Sequence, residues 1–224
     1  MLEIATFCLE DAFRAAEAGA DRIEVCKDYE QGGITPPTEW IFALNQAIQI
    51  PIVSMVRPRG GGFFYSDEEI KEIRDGGHSL KSAGSQELVL GCLNEKSEID
   101  ISLNKSLIQD WGLPATLHRA FDECQDSFKA IDEAVESGFI RILSGKGAEN
   151  PKLLEKMKKY ANKRIEIIPG GGIRSENIEK YLKLGFDTIH SSAKTGIQAQ
   201  MDPGEIGLLK LKLYESLKYI RRIN

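Results

Sequence analysis

Short apolar runs recur along this chain, and most of them end in a cluster of polar or glycine residues. Arg22-Ile23-Glu24-Val25-Cys26 is one such run. Arg57-Pro58-Arg59-Gly60-Gly61-Gly62 follows Pro51–Val56, and His118-Arg119-Ala120-Phe121-Asp122 follows Pro114–Leu117. Gly170-Gly171-Gly172 follows Ile165–Pro169, and His190-Ser191-Ser192 follows Asp187–Ile189. Each run has strand length, and helix-like segments separate the runs. Strand and helix in strict alternation predict βαβ units and a parallel sheet. Chemistry gathered at the carboxyl ends of successive strands is the way a (β/α)8 barrel builds a site.

The pattern predicts strands near 2–6, 21–25, 52–56, 87–91, 115–118, 139–143, 165–168 and 187–190. Helices are expected near 10–18, 38–48, 67–83, 100–111, 126–137, 151–161, 175–184 and 204–220. The fold class is therefore α/β, a (β/α)8 TIM barrel, with one domain over residues 1–224. That length sits near the short end for such barrels. Ser66-Asp67-Glu68-Glu69 and Ser175-Glu176-Asn177 read as helix starts. Segment Lys194–Gly204 reads as a loop leading to the closing helix.

A weak repeat supports repeated αβ units. Gly19-Ala20-Asp21-Arg22-Ile23-Glu24, Gly138-Phe139-Ile140-Arg141-Ile142-Leu143 and Gly185-Phe186-Asp187-Thr188-Ile189-His190 each place a glycine helix stop before a strand. Strand alternation then sorts the faces. Ile23, Val25, Leu117 and Ile189 should face the helices, while Arg22, Glu24, Cys26, Thr116, His118, Thr188 and His190 should face the barrel interior or mouth. Val53, Met55 and Arg57 share the inner face of the third strand.

Net charge is −5, with 28% charged and 42% hydrophobic residues. No basic footprint for nucleic acid is present. The apolar runs are too short to span a membrane, and no basic leader with an apolar stretch opens the chain. The four cysteines show neither CxxC nor zinc-ribbon spacing. These features predict a reduced, cytoplasmic protein.

Several clusters invite chemistry. Arg57 and Arg59 beside glycines, with Arg119 at the mouth, are candidate binders of a small anionic ligand. Gly170, Gly171 and Gly172 after the seventh strand, with His190 and Ser191 after the eighth, sit where barrels often bind phosphate. The same glycines would also serve tight turns alone. His118 is a candidate general acid or base, with Asp122 to orient it and Glu24 as a second proton-transfer group. Glu3 and Glu24 are inward carboxylates that need partners such as Arg22, Arg57 or Arg141. Cys8 and Cys26 lie on adjacent strand ends and are the pair able to share a soft ion such as Cu(I). Buried cysteine also serves as a small hydrophobe. Phe63-Phe64-Tyr65 reads as an apolar lid or as a surface for a second copy in a homodimer.

The motifs Leu2-Glu3-Ile4, Gly19–Cys26, Gly32-Gly33-Ile34-Thr35-Pro36, Arg57–Gly61, Tyr65-Ser66, His118–Asp122, Gly170–Arg174 and His190–Ser192 run in order from residue 2 to about residue 193. Together they resemble the CutC family. That resemblance implies a (β/α)8 barrel, a part in copper homeostasis and a Cu(I) ligand held through cysteine. Members of the family often carry cysteine at the position of Ala5, and some carry it at that of Phe64. Here a copper site would rest on Cys26, with Cys8 or His118 as helper. The alternative is an enzyme that acts on a small anionic or phosphorylated metabolite.

Overall fold

The computed structural model describes residues 1–146, 150–195 and 200–223. Eight parallel strands form the sheet: Leu2–Thr6 (β1), Arg22–Val25 (β2), Ile52–Met55 (β3), Glu87–Leu90 (β4), Ala115–Leu117 (β5), Arg141–Ser144 (β6), Glu166–Pro169 (β7) and Ile189–Ser191 (β8). The helices are Leu9–Glu17 (α1), Thr38–Ala47 (α2), Asp67–Ser82 (α3), Ile101–Trp111 (α4), Ser127–Ser137 (α5), Pro151–Ala161 (α6), Glu179–Leu182 (α7) and Pro203–Ile223 (α8). Spatial order follows sequence order from β1 to β7, and β8 pairs with β1 through Leu2↔Ile189 and Glu3↔His190. Among the described residues no ladder joins β7 to β8, so the barrel is nearly closed.

The alternation expected from sequence is realised. Leu2, Ile4, Ile23, Val25, Leu88, Leu90, Leu117, Ile142 and Ile189 belong to the main apolar core shared with the helices. Cys26, Val53, Met55 and Val89 form a separate small cluster within the barrel. The lower barrel is filled by polar side chains that pair with one another, with Arg22 Nη2 left without a hydrogen-bond partner among the described residues. Arg22 Nε donates to Glu3 Oε2 at 2.5 Å, and Arg141 bridges Glu87 to Glu166. Thr116 donates to the other Glu87 oxygen. A buried charge layer of this kind is tolerated only because each member has a partner.

Local chemistry sets the helix ends. Ser66 closes a full capping box with Glu69 on α3, as its sequence pattern predicts. Gly138 ends α5 in the left-handed region at φ 92°, where a side chain would be strained. The chain departs from expectation after β7. Ser175 is pinned through its N–H and hydroxyl by Glu205 of α8, and regular helix begins only at Glu179. Two elements went unforeseen: a 3-10 turn at Arg119–Glu123 and a short hairpin of Lys194–Thr195 (β9) with Gln200–Met201 (β10). Of the loop expected over Lys194–Gly204, residues 196–199 lie outside the described residues. The expected domain span of 1–224 also takes in 147–149 and 224, which lie outside them as well. Among the described residues no helix is long and apolar enough to cross a membrane.

Candidate functional site

A cavity of about 740 Å³ opens at the carboxyl ends of the strands. Glu24, Cys26 and His190 line it, together with Arg57, Phe63 and His118. Arg119, Asp122, Gly171 and Gly172 line it as well. Pairing of β2 and β8 with β1 brings Glu24 and His190 to the two sides of β1.

His190 sits between two carboxylates. Its Nδ1 lies 2.7 Å from Glu3 Oε1, and its Nε2 lies 3.7 Å from Glu24 Oε2. The buried series Arg22–Glu3–His190–Glu24 thus runs from the barrel interior to the cavity wall. Burial alone would push the Glu3 carboxyl up, but the hydrogen bond and charge of His190, with Arg22, outweigh burial and hold it at about 2. Burial lowers His190, and the charges of Glu24 and Glu3 reverse that and raise it. Burial pushes Glu24 up to about 7, with the Glu3 charge adding to it and His190 and Arg22 opposing. Glu24 is therefore a carboxyl that gains and loses a proton near neutrality.

His118 lies on the other flank. Its Nδ1 accepts from the Ala120 N–H at 3.2 Å, and its ring packs against Phe63 with centroids 4.7 Å apart. Its Nε2 is buried without a partner. Burial, with the nearby Arg57 charge, lowers its pKa to about 3. An imidazole so placed is neutral at physiological pH. With Nδ1 accepting, the ring hydrogen belongs on Nε2. Asp122 does not orient this ring. It accepts from Ser144 Oγ at 2.8 Å, from Gly145 N at 2.9 Å and from Arg119 Nε at 2.9 Å, so it braces the loop after β6.

The expected anion-binding groups divide. Arg57 reaches the cavity wall, but its guanidinium donates to the carbonyls of Gln31 at 3.1 Å, Gly33 at 3.3 Å and Gly61 at 2.6 Å. Arg59 is off the cavity lining and pairs with Glu69 of α3. Arg119, with its side chain 60% exposed, keeps donors free at the rim. Gly171 and Gly172 line the cavity at φ 77° and 79°, while Gly170 packs beneath against Leu143. Ser191 donates to Ile173 O at 2.7 Å, and Arg174 spans Ser191 and Ser192, tying the last two loops together. Phe63 turns into the cavity, Tyr65 is buried and Phe64 is 56% exposed. Phe7, Tyr29 and Gln31 also line the cavity. These three sit in loops that carry no periodic signal, so sequence reasoning did not reach them.

Of the four cysteines, Cys26 lines the cavity and Cys8, Cys92 and Cys124 do not. Cys26 is buried in the cavity wall, and burial with the neighbouring Glu24 charge pushes its thiol up. Cys8 is exposed and caps α1, its Sγ 3.5 Å from Asp11 N. Cys92 and Cys124 are buried away from the cavity. Among the described residues no group of three or more His, Cys, Asp or Glu could hold a metal ion. The hydrogen on His118 Nε2 leaves that atom no lone pair to give. Among the described residues Cys26 is the cysteine that lines the cavity, and a thiolate is the kind of soft donor that suits Cu(I).

The CutC family model matches residues 1–195. A human protein named copper homeostasis protein cutC homolog is 36% identical over 201 residues, covering 87% of this chain and 74% of its own. A family protein CutC of Histophilus somni is 37% identical over 206 residues, covering 89% and 85%. A solved CutC structure from Streptococcus agalactiae superposes with a TM-score of 0.80 at 35% identity, covering 86% of this chain and 98% of that one. With the barrel, the ordered motifs and these relatives in agreement, the chain belongs to the CutC family.

Proposed function

We propose that this chain serves copper homeostasis in the cytosol, as its relatives' names imply, and that its molecular work is acid–base chemistry on a small anionic metabolite in the barrel-mouth cavity. The Arg22–Glu3–His190–Glu24 series carries this reading. Burial pushes the Glu24 carboxyl in the cavity wall up to about 7, with His190, Glu3 and Arg22 in series behind it. A carboxyl shifted by burial and by specific charged neighbours, set in a cleft, has the character of a functional group. Arg119 and the backbone of Gly171 and Gly172 are the groups left to meet an anion, phosphorylated or carboxylated. The four free cysteines suit a reducing compartment.

Thermal-shift screening with phosphorylated and carboxylated metabolites tests this. A stabilising ligand whose effect is lost in Arg119→Ala, and whose turnover is lost in Glu24→Gln, is the expected result. No stabilisation by any anion would overturn the reading.

A second reading is direct Cu(I) binding at Cys26, supported by the relatives' names and by the place of Cys26 in the cavity wall. An anaerobic Cu(I) competition titration of wild type and Cys26→Ser separates the two. Tight stoichiometric binding lost in the variant would favour copper binding. Equal weak uptake by both proteins would remove it.

A further inference from the structure

We propose that His118 is a fixed neutral hydrogen-bond donor for the carbonyl oxygen of an enolisable ligand, and that Glu24 takes the proton from the carbon beside that carbonyl. The ligand class is therefore an α-hydroxy carbonyl compound or a 2-oxo acid. This rests on the proton-transfer reading of the cavity and specifies what that proton is attached to.

The unpartnered Nε2 is the starting observation. A buried N–H with no acceptor is rare in folded proteins and asks for an explanation, and this one belongs to a ring lining the cavity. The Ala120 N–H fixes the tautomer, so Nε2 can donate but not accept. The ring is held in place from two sides. Phe63 packs on it, and a side chain at Gly91 would come within 2.8 Å of it. Phe63 in turn carries the Arg57 guanidinium at 4.7 Å from its centroid, a positive charge that disfavours a charged imidazole. A donor that is rigid, neutral and dry is suited to stabilise an oxygen that becomes negative during reaction. It is unsuited to move a proton itself.

Glu24 supplies the other half. β2 and β5, which end near Glu24 and His118, stand three strands apart around the barrel, so a ligand touching both lies across the mouth. The step balances without a further reactant. The α C–H bond breaks and its proton passes to the Glu24 carboxylate. The electron pair forms a carbon–carbon double bond, and the carbonyl π pair moves onto oxygen, where the His118 N–H holds it. Return of the proton to the same carbon completes an exchange.

The test uses the full-length protein labelled with ¹⁵N-histidine, in which only three histidines report. His118→Gln assigns the signal. Oxalate and glycolohydroxamate, planar mimics of an enediolate, serve as probes. Dihydroxyacetone phosphate and pyruvate are tested in D₂O for deuterium entry at the α-carbon. The inference expects a neutral Nε2–H that does not titrate between about pH 5 and pH 9 and shifts when a mimic binds. It also expects deuterium entry that falls roughly 100-fold or more in His118→Ala, falls in Glu24→Gln and is partly kept in His118→Gln, which retains a donor. An anion that binds and turns over through Glu24 while the His118 signal stays still would overturn this inference and leave the proposed function standing. Failure of every probe to bind, together with failure of the anion screen, would overturn both.

Discussion

His190 grips Glu3 through Nδ1 at 2.7 Å and so spends its stronger contact on a residue inside the barrel. Its contact with Glu24, at 3.7 Å, is the looser one. Glu3 is held ionised, and Glu24 is left as the member of the series whose proton is exchangeable. The pH dependence expected of the fold follows from that unequal division.

Glu24 should make the fold pH-sensitive. Its carboxyl rises from 4.5 to about 7 on folding. A group raised in the fold contributes stability that is full below its unfolded value and is lost as pH rises through the folded one. Wild type is therefore expected to lose stability between about pH 5 and pH 8, and Glu24→Gln to lose much less. Urea midpoints measured across that window check this. Parallel curves for the two proteins would refute it.

Glu3 is expected to be the costliest carboxylate to remove. Glu3→Ala leaves Arg22 buried without its carboxylate and His190 with only the looser Glu24 contact, at a cost of about 3–5 kcal/mol. Replacing Glu3 by Leu and Arg22 by Met together should cost less than Glu3→Ala alone. Chemical denaturation of the single and double variants measures the difference.

Asp122 should matter for the rim and not for the imidazole. Asp122→Ala strands Ser144 Oγ and the Gly145 N–H, for a loss of about 1–3 kcal/mol. The nitrogen signals of His118 should not move. A shift in those signals would show that Asp122 does govern the ring.

Gly91 and Gly62 form a matched pair. A Cβ at Gly91 would meet His118 and Leu117 at 2.8 Å, while one at Gly62 meets nothing within 4 Å. Gly91→Ala is expected to displace the imidazole, cost about 1–3 kcal/mol and abolish ligand-dependent shifts at His118. Gly62→Ala should lie within about 0.5 kcal/mol of wild type. A fully active Gly91→Ala would count against the seating of the ring.

Much of the fold was legible because strand burial leaves a local mark. Ile23, Val25, Leu117 and Ile189 declare the helix side by alternation alone, and Gly138 declares a helix stop by its freedom at positive φ. The helix after β7 was not legible, because Ser175 is captured by Glu205, thirty residues along the chain. The site was legible as a place and less so as a set of roles. Glu24, Cys26, His118 and His190 do meet in one cavity. That Arg57 binds carbonyls and Arg59 binds Glu69 depends on how loops fold back, which residue type does not encode. The role of His118 turns on one backbone N–H two residues away, and spacing cannot show where that N–H points.

Arg57 joins two loops by their backbones: Gln31 and Gly33 after β2, and Gly61 after β3. Barrel loops are commonly treated as exchangeable parts on a fixed scaffold. Here neither loop is a separable part, since grafting one without the other would leave a buried guanidinium facing carbonyls that are no longer there. The heritable unit of this mouth is the pair of loops, and redesign of either has to carry both.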